Sequence, residues 1–285
     1  MKGLTDIPGI QVGHASDYDG LTGCTVVLCE RGAVAGGDIR GSATGTEEWD
    51  VLNPLHVTTE IHAVCLAGRS AFGLEAASGV RRFLAQKGVG FEFGGVHIPI
   101  VPAAILFDLG MGNAAIRPTR EMGESAAAAA TDKAVAEGAV GAGTGATVGK
   151  MLGLRQAMKS GIGSFTVELE GQHRGVMVSA LAAVNALGDI RDPATGKIVA
   201  GTRTDFRGME FADSARLMKD GARPTRNPAG RGNTTLVVVA TTAAISKVEA
   251  TKLAQLASLG VARTIIPVNT MSDGDLVVAL SLGNA

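Results

Sequence analysis

Thr234 stands where a polar, turn-rich segment meets an apolar run. The segment 220–233 (DGARPTRNPAGRGN) lacks periodicity, whereas residues 234–241 (TTLVVVAT) are typical of a buried strand. A Thr hydroxyl is a weak nucleophile, but a Thr at a chain N-terminus can use its own α-amine as the base. That amine titrates near pH ~8, so part of it is neutral at physiological pH. Cleavage between Asn233 and Thr234 would create this arrangement, although Thr is also a common strand residue.

The glycine-rich segment 141–150 (GAGTGATVGK) suggests a second chemistry, because glycines let backbone N–H groups converge on a phosphate. Its spacing does not fit a P-loop, since its glycines are one residue too far apart and Met151, not Ser or Thr, follows Lys150. A dinucleotide-type G-x-G-x-x-x-G does occur in it, but that pattern should follow a strand and open a helix. A nucleotide-binding enzyme that uses this loop is therefore the alternative, beside a structural use of the glycines.

Nine segments in chain order carry a resemblance to a known family. They are TDIPGIQVGHASD (5–17), TGCTVVLCERGAVAGGDIRGSATGTEE (22–48), HAVCLAGRSAFGLEAASGV (62–80), VPAAILFDLG (101–110), VGAGTGATVGK (140–150), MKSGIGS (158–164), AAVNALGDIRDPATG (182–196), GNTTLVVVAT (232–241) and NTMSDGDLVVAL (269–280). On these segments the chain resembles the self-processing hydrolases that include the L-aminopeptidase/D-amidase/D-esterase enzymes, the β-peptidyl aminopeptidases and the nylon-oligomer hydrolase.

The resemblance implies an α/β fold, a four-layer αββα sandwich, with residues 1–285 as a single domain. It implies self-cleavage into chains 1–233 and 234–285, amide or peptide hydrolysis through an acyl-enzyme, and a homotetramer of the cleaved pair. No cofactor is expected. Peptides with a free N-terminus, D-amino-acid amides or esters, β-peptides and ω-amino-acid oligomers all remain open as substrates. An uncleaved, non-catalytic family member is a further alternative.

Four residues match functional positions of the family. Asn185 matches an oxyanion-stabilising Asn, although an Asn after an apolar strand is usually a turn residue. Asp273 and Asp275 match a downstream acidic pair, and the nylon-hydrolase branch likewise combines a Thr nucleophile with two aspartates; Asp-Gly is also common in hairpin turns. Lys159 matches a lysine near the active site and otherwise reads as an exposed side chain. Some relatives place a tyrosine in the pocket, and Phe107 is expected to fill that space here.

The elements that must position these residues alternate between strand and helix, with hairpin-like strand pairs that argue against a purely parallel sheet. Apolar, β-branched runs predict strands at 24–29, 61–67, 163–169, 175–184, 234–241, 261–266 and 276–282, and an extended segment at 98–107. Helical spacing and terminal signals predict helices at 71–87, 119–137 and 246–259.

The bulk composition excludes several classes of protein. A net charge of −1 provides no basic stripe for nucleic acid, and no apolar run approaches the ~20 residues of a membrane span. The N-terminal sequence has no apolar region typical of a secretory signal, and three cysteines in aliphatic surroundings read as buried thiols, so a cytoplasmic location is expected. The histidines and cysteines show no metal-ligand spacing.

Overall fold

A computed structural model describes residues 1–224 and 232–283 of the chain. Residues 225–231 of the predicted linker 220–233 lie outside the described residues. The strands, numbered β1 to β16 in chain order, are Gln11–Asp17, Thr22–Ile39, Thr46–Glu47, Glu60–Ala67, Phe91–Phe93, Val96–Ile98, Ala103–Ile105, Thr147–Val148, Met158–Lys159, Ile162–Glu168, Met177–Asn185, Asp189–Arg191, Ile198–Ala200, Thr234–Thr241, Ile265–Ile266 and Leu276–Ser281. The α-helices, α1 to α4, are Glu75–Gln86, Arg120–Ala128, Ser214–Lys219 and Lys247–Thr264.

One mixed sheet of nine strands dominates the structure. Its order is β10-β11-β14-β16-β2-β4-β7-β3, with β1 paired to β2. The strand β2 belongs to two halves of this sheet, because its first part pairs with β1 and β4 and its last part pairs with β16. The register shifts between Leu28 and Ala33, as it does where a bulge bends a strand. The two halves of the sheet therefore fold over each other.

The main apolar core lies between the two halves of the sheet. Val27 and Leu66 of one half belong to the same buried cluster as Leu181, Val238 and Leu280 of the other. Helices α1 and α2 cover the outer face of the β1-β2-β4 half, and α4 covers the outer face of β14, β16 and the end of β2. The order of layers is helix, sheet, sheet, helix, which confirms the predicted αββα fold class.

Strand β14 occupies a central place in this arrangement. It runs antiparallel to β11 and parallel to β16, and every residue from Thr234 to Thr241 is buried. The run of β-branched residues fits a strand with both faces covered. The predicted strand at 234–241 is confirmed with the same boundaries. Its first residue, Thr234, follows directly on Asn233, and the peptide bond between these two residues is the expected cleavage bond.

The predicted helix at 119–137 is wrong beyond Ala128. Thr119 caps its start by accepting a hydrogen bond from the Met122 N–H, but the helix ends after nine residues. Thr131 then pairs with Val12 of β1 through two backbone hydrogen bonds of 3.0 and 3.1 Å. The Ala-rich sequence favours helix, but pairing with the sheet outweighs that weak propensity.

The other predicted elements differ mainly at their ends. The helix expected at 71–87 begins with a 3-10 turn, Ser70–Leu74, before α1, and the helix expected at 246–259 extends to Thr264. The longer helix reduces the strand predicted at 261–266 to Ile265–Ile266. All three cysteines are free thiols and buried, as predicted. Within the described residues, no helix is both long and apolar enough to cross a membrane.

Candidate functional site

The junction between Asn233 and Thr234 lies at the buried start of β14. Thr234 is 2% exposed, and its hydroxyl donates a 2.6 Å hydrogen bond to the carbonyl oxygen of Asn233. The hydroxyl of Thr234 and the carbonyl of the peptide bond that precedes it are thus in direct contact. Thr235 faces the other side of the strand, since side chains alternate along a strand. Its hydroxyl has no hydrogen-bond partner among the described residues.

The carbonyl of Asn233 also receives a backbone donor. Asn233 pairs with Asp273 in an isolated parallel bridge, and the N–H of Gly274 donates to the Asn233 oxygen at 2.7 Å. A backbone N–H held on a carbonyl oxygen polarises it and stabilises the negative charge that develops on that oxygen during nucleophilic attack. Gly274 also lies close to the Thr234 side chain, because a Cβ atom at residue 274 would be 2.9 Å from the Thr234 hydroxyl oxygen.

Asn185, the last residue of β11, lies opposite Thr234 across the strand pair. Its amide nitrogen donates to the carbonyl oxygens of Phe107 at 2.9 Å and Gly232 at 3.2 Å. Its amide oxygen accepts from the N–H of Thr147 at 3.1 Å, which with the neighbouring donors fixes the orientation of the amide. In the continuous chain Asn185 therefore binds the carbonyl one residue before Asn233, and the Asn233 carbonyl receives the Thr234 hydroxyl and the Gly274 N–H instead.

The two aspartates lie in the turn that leads into β16. Asp275 accepts hydrogen bonds from the backbone N–H groups of Thr235 at 2.5 Å and Asn269 at 3.0 Å. Asp273 accepts from the N–H of Thr270 at 2.8 Å through one oxygen, while its other oxygen, Oδ1, is buried without a partner among the described residues. The structure thus brings both acids to the Asn233–Thr234 junction.

Burial changes the acidity of both carboxyl groups. Desolvation raises the pKa of Asp273, and desolvation together with repulsion from Asp273 raises the pKa of Asp275 to about 6. The backbone donors to each carboxylate act in the opposite direction and do not cancel the cost of burial. Two carboxyl groups with raised pKa values beside a candidate nucleophile are typical of sites that transfer protons.

Lys150 also lies in the candidate site, where the sequence did not place it. Its ammonium group donates to the backbone and side-chain oxygens of Asn185, both at 2.8 Å, and to the Gly232 carbonyl at 3.2 Å. Desolvation lowers the pKa of Lys150 to about 7. Attraction from Asp273, Asp108 and Asp275 acts in the opposite direction but does not outweigh the desolvation. A lysine that titrates near neutrality can be present in charged and neutral forms at physiological pH.

Lys159 lies on β9, opposite Thr147 of β8. Its ammonium group donates to the carbonyl oxygens of Ala146 at 3.0 Å and Ser160 at 3.3 Å. Desolvation lowers its pKa. The hydrogen bonds of Lys159 thus hold the strand pair that carries Thr147, and they do not reach the Asn233–Thr234 junction.

A buried arginine holds the loop on the other side of Asn185. The guanidinium of Arg69 is fully buried and donates to the carbonyl oxygens of Asp108 at 2.8 Å and Met111 at 3.0 Å. The carboxylate of Asp108 accepts from the backbone N–H of Arg69 at 2.7 Å. These contacts fix the backbone next to Phe107, whose carbonyl binds Asn185 and whose ring packs directly against Gly232.

The glycine-rich segment 141–150 does not have the geometry of a nucleotide site. It begins with a 3-10 turn, Gly141–Gly143, continues into the two-residue strand β8, and is followed by turns at residues 151–156. Because no helix begins after it, the segment lacks the helix N-terminus that binds a pyrophosphate in dinucleotide folds. What the segment brings to the site is Thr147 and Lys150.

Comparison with known families gives a match over residues 2–285 to the model of peptidase family S58. The chain belongs to peptidase family S58. It is similar to an uncharacterized aminopeptidase of Mycobacterium leprae, with 39% identity over 298 residues that cover 99% of this chain and 79% of that protein. It is also similar to the 6-aminohexanoate-oligomer endohydrolase of Kocuria sp., with 30% identity over 279 residues that cover 97% of this chain and 74% of that protein.

A solved structure supports the fold of this S58 chain. The L-aminopeptidase D-Ala-esterase/amidase of Ochrobactrum anthropi, described as a variant of the Ntn hydrolase fold, superposes with a TM-score of 0.71 at 17% identity. The match covers 99% of this chain and 74% of that one. As a member of S58, the chain is a hydrolase that acts on peptide or amide bonds, as the resemblance implied.

Two parts of the candidate site were not predicted from the sequence. Gly274 contributes a backbone N–H, which carries no side-chain signal. Lys150 enters the sequence analysis only as part of a possible phosphate loop. Its place in an apolar, glycine-rich segment was a signal that its ammonium group would be desolvated.

Proposed function

We propose that this S58 hydrolase cuts its own Asn233–Thr234 bond and then uses Thr234 as an N-terminal nucleophile on amide or peptide substrates. The observation that supports this most strongly is the convergence of the Thr234 hydroxyl, at 2.6 Å, and the Gly274 N–H, at 2.7 Å, on the carbonyl oxygen of Asn233. Nucleophile, scissile carbonyl and a donor for the oxyanion are therefore present in the uncut chain.

Self-cleavage would proceed in two steps. The Thr234 oxygen attacks the carbonyl carbon of Asn233, and the Gly274 N–H stabilises the oxyanion. The carbon–nitrogen bond then breaks, so that Asn233 becomes an ester on the Thr234 oxygen and the hydroxyl proton passes to the departing nitrogen. Water hydrolyses this ester, which leaves a carboxylate on Asn233 and restores the hydroxyl beside a free α-amine.

In the mature enzyme the new α-amine of Thr234 serves as the base for its own hydroxyl. The substrate carbonyl is attacked, the amine product leaves, and water releases the acyl group. Asn185 is the proposed donor to the oxyanion during turnover, because departure of the Gly232 carbonyl frees one N–H of its amide. Asp273 and Asp275 are proposed to orient the amine and to hold a proton beside it.

Other features of the proposal lie outside the contacts at the Asn233–Thr234 junction. Lys159 is proposed to support the site indirectly, since its hydrogen bonds go to the backbone of Ala146 and Ser160, beside β8 and β9. A homotetramer of the cleaved pair and a cytoplasmic location are proposed with it. D-amino-acid, β-peptide and ω-amino-acid amides stay candidate substrates beside ordinary peptides, and two relatives are named for an aminopeptidase and an oligomer endohydrolase.

Trapping the acyl-enzyme tests the proposed function. Cleaved protein is mixed with an activated acyl ester, quenched in acid and analysed by mass spectrometry of the fragment 234–285. The added acyl mass should lie on Thr234, either on its oxygen or, after migration, on its adjacent amine. Thr234→Ala is expected to stay uncut, so it is digested with a protease first, and its peptide that contains residue 234 should carry no label. Labelling confined to another residue would contradict the assigned nucleophile.

A further inference from the structure

The two-stranded ribbon formed by β5 and β6 carries its apolar residues on the side that faces solvent. The strands pair antiparallel, with Phe91 opposite Ile98 and Phe93 opposite Val96. Since side chains alternate along a strand and paired residues point to the same side, these four side chains share one face of the ribbon. Each of them is exposed, from 45% for Ile98 to 71% for Phe93. An antiparallel pair in a soluble protein commonly turns such a face towards the core.

The opposite face of the ribbon is polar. Glu92 pairs with His97 there, and His97 is half-buried next to Gly88, just after the end of α1. The usual arrangement of an apolar inner face and a polar outer face is therefore reversed. The ribbon is also a sheet of its own, and an isolated two-stranded sheet is only marginally stable in water. Covering its apolar face would stabilise it.

A cavity of about 320 Å³ at the base of the ribbon continues the apolar face. Phe91, Val57 and Ile100 line it together with residues 58–60 and His62, and Val57 is 88% exposed. The four side chains of the ribbon face and Val57 expose on the order of 600 Å² of apolar surface. This area reaches the roughly 300–600 Å² of the largest patch on a typical monomer. It is also most of the about 800 Å² that each partner contributes to a stable interface.

We propose that the apolar face of the β5-β6 ribbon, with Val57, is the contact surface for a second copy of this chain, packed face to face across a two-fold axis. In such a contact the same patch is used on both chains. The tip of one ribbon, Phe93 and Val96, then meets the base of the other, and the ring of Phe93 enters the cavity beside Val57 of the second copy. The contact is one of those that the proposed homotetramer needs, and it does not depend on self-cleavage.

The charges around the patch favour a second copy as the occupant. The five side chains of the patch are uncharged, so two copies of it meet without like charges facing each other. Glu60 lines the cavity, and Glu92 lies on the other face of the ribbon. Two acidic side chains beside an apolar patch disfavour an anionic membrane surface, which attracts basic residues.

The mass of the protein in solution tests the contact. Sedimentation equilibrium over a range of micromolar concentrations should give the wild type a mass of at least two chains. Phe93→Glu should lower that mass by half and raise the dissociation constant of the contact by at least about 30-fold, because a central aromatic anchor dominates the energy of an interface. Val199→Glu is the matched control, since Val199 is an apolar strand residue that is 57% exposed on β13, and it should keep the wild-type mass. A monomeric wild type, or a Phe93→Glu protein with the wild-type mass, would overturn the proposal.

Hydrogen exchange supplies a second measurement that needs no substitution. The backbone N–H groups of residues 91–98 should exchange more slowly as the wild-type concentration rises and the contact forms. Exchange in 91–98 that stays the same while the chain associates would place the contact elsewhere and overturn the proposal. Intact mass of the same samples separates the two proposals, because a cut but monomeric chain contradicts this contact and leaves the proposed hydrolysis standing. An uncut chain that associates through the ribbon has the opposite meaning.

Discussion

Thr234 and Asn185 lie directly opposite each other on the antiparallel strands β14 and β11. A slip of one residue in this register would turn Thr234 to the other face of the sheet and place Thr235 opposite Asn185. The register is held because β14 is buried throughout, between β11 and β16. The long apolar strand therefore does more than stabilise the core, since it fixes the candidate nucleophile beside the amide that is proposed to assist it.

Replacing Thr234 by Ala should abolish both self-cleavage and hydrolysis while the fold is retained. The change removes a hydroxyl and one hydrogen bond from the start of a strand whose other residues keep their packing. Thr235→Ala is the matched control and should still be cut, because the Thr235 hydroxyl has no hydrogen-bond partner among the described residues. Intact mass and thermal unfolding are the measurements. Cleavage that depends on Thr235 and not on Thr234 would shift the assigned nucleophile by one residue.

Asn185→Ala should slow turnover by about 10²- to 10³-fold, because a donor to the oxyanion acts on the transition state. The effect on KM should be smaller. Steady-state kinetics on chain that has already been cut separates the two, and the cleaved fraction is measured in the same sample. A normal kcat in Asn185→Ala would contradict a role of Asn185 as donor to the oxyanion. Its amide nitrogen would then serve only to bind the carbonyl oxygens of Phe107 and Gly232 in the uncut chain.

Asp273→Asn should move the rising limb of the pH–rate profile to lower pH. A carboxylate favours the protonated form of a nearby amine, so its removal lowers the pKa of the Thr234 amine and leaves more of it neutral at a given pH. The amide should fit, since Asp273 Oδ1 has no partner in the described part of the chain and its other oxygen can still accept from Thr270. The measurement is kcat/KM against pH on cleaved enzyme, with the exposed Asp19→Asn as control. An unchanged profile would remove the assigned role from Asp273.

Lys150 should make the free energy of unfolding depend on pH above neutrality. Its pKa is lowered from 10.5 to about 7 in the folded chain, so between these values the unfolded chain binds a proton that the folded chain has lost. Rising pH therefore favours the folded state from about pH 7 to 10. Denaturant unfolding is compared in chains that all carry Thr234→Ala and so stay uncut. It should show this gain in the parent chain and in the exposed control Lys252→Met, and a smaller gain in Lys150→Met. Parallel curves for the parent chain and Lys150→Met would contradict the lowered pKa.

Local sequence predicted the parts of the fold that depend on burial on both faces or on clear periodicity. The strand at 234–241 has the predicted boundaries, because a continuous β-branched run bounded by turn residues admits few alternatives. The helix predicted at 119–137 ends at Ala128, because Thr131 pairs with Val12, more than a hundred residues earlier in the sequence. Propensity within a window cannot report such a pairing.

Residues of the candidate site were predictable where they lie in motifs that match the family. They were not predictable where residues far apart in the sequence come into contact. Asn185, Asp273 and Asp275 were expected from matching motifs, and the structure brings them to Thr234. Lys150 meets Asn185 across 35 residues of sequence and Gly232 across 82, and no local pattern encodes that meeting.

Self-cleavage between Asn233 and Thr234 is the central claim, and intact mass spectrometry of purified wild-type protein under denaturing conditions tests it most directly. The expected result is two fragments, residues 1–233 and 234–285, with Thr234 as the N-terminal residue of the shorter one and no added mass on either. A Thr234→Ala sample treated in parallel should give one chain. A single intact wild-type chain after prolonged incubation at neutral pH, or a cut at any other bond, would contradict the mechanism.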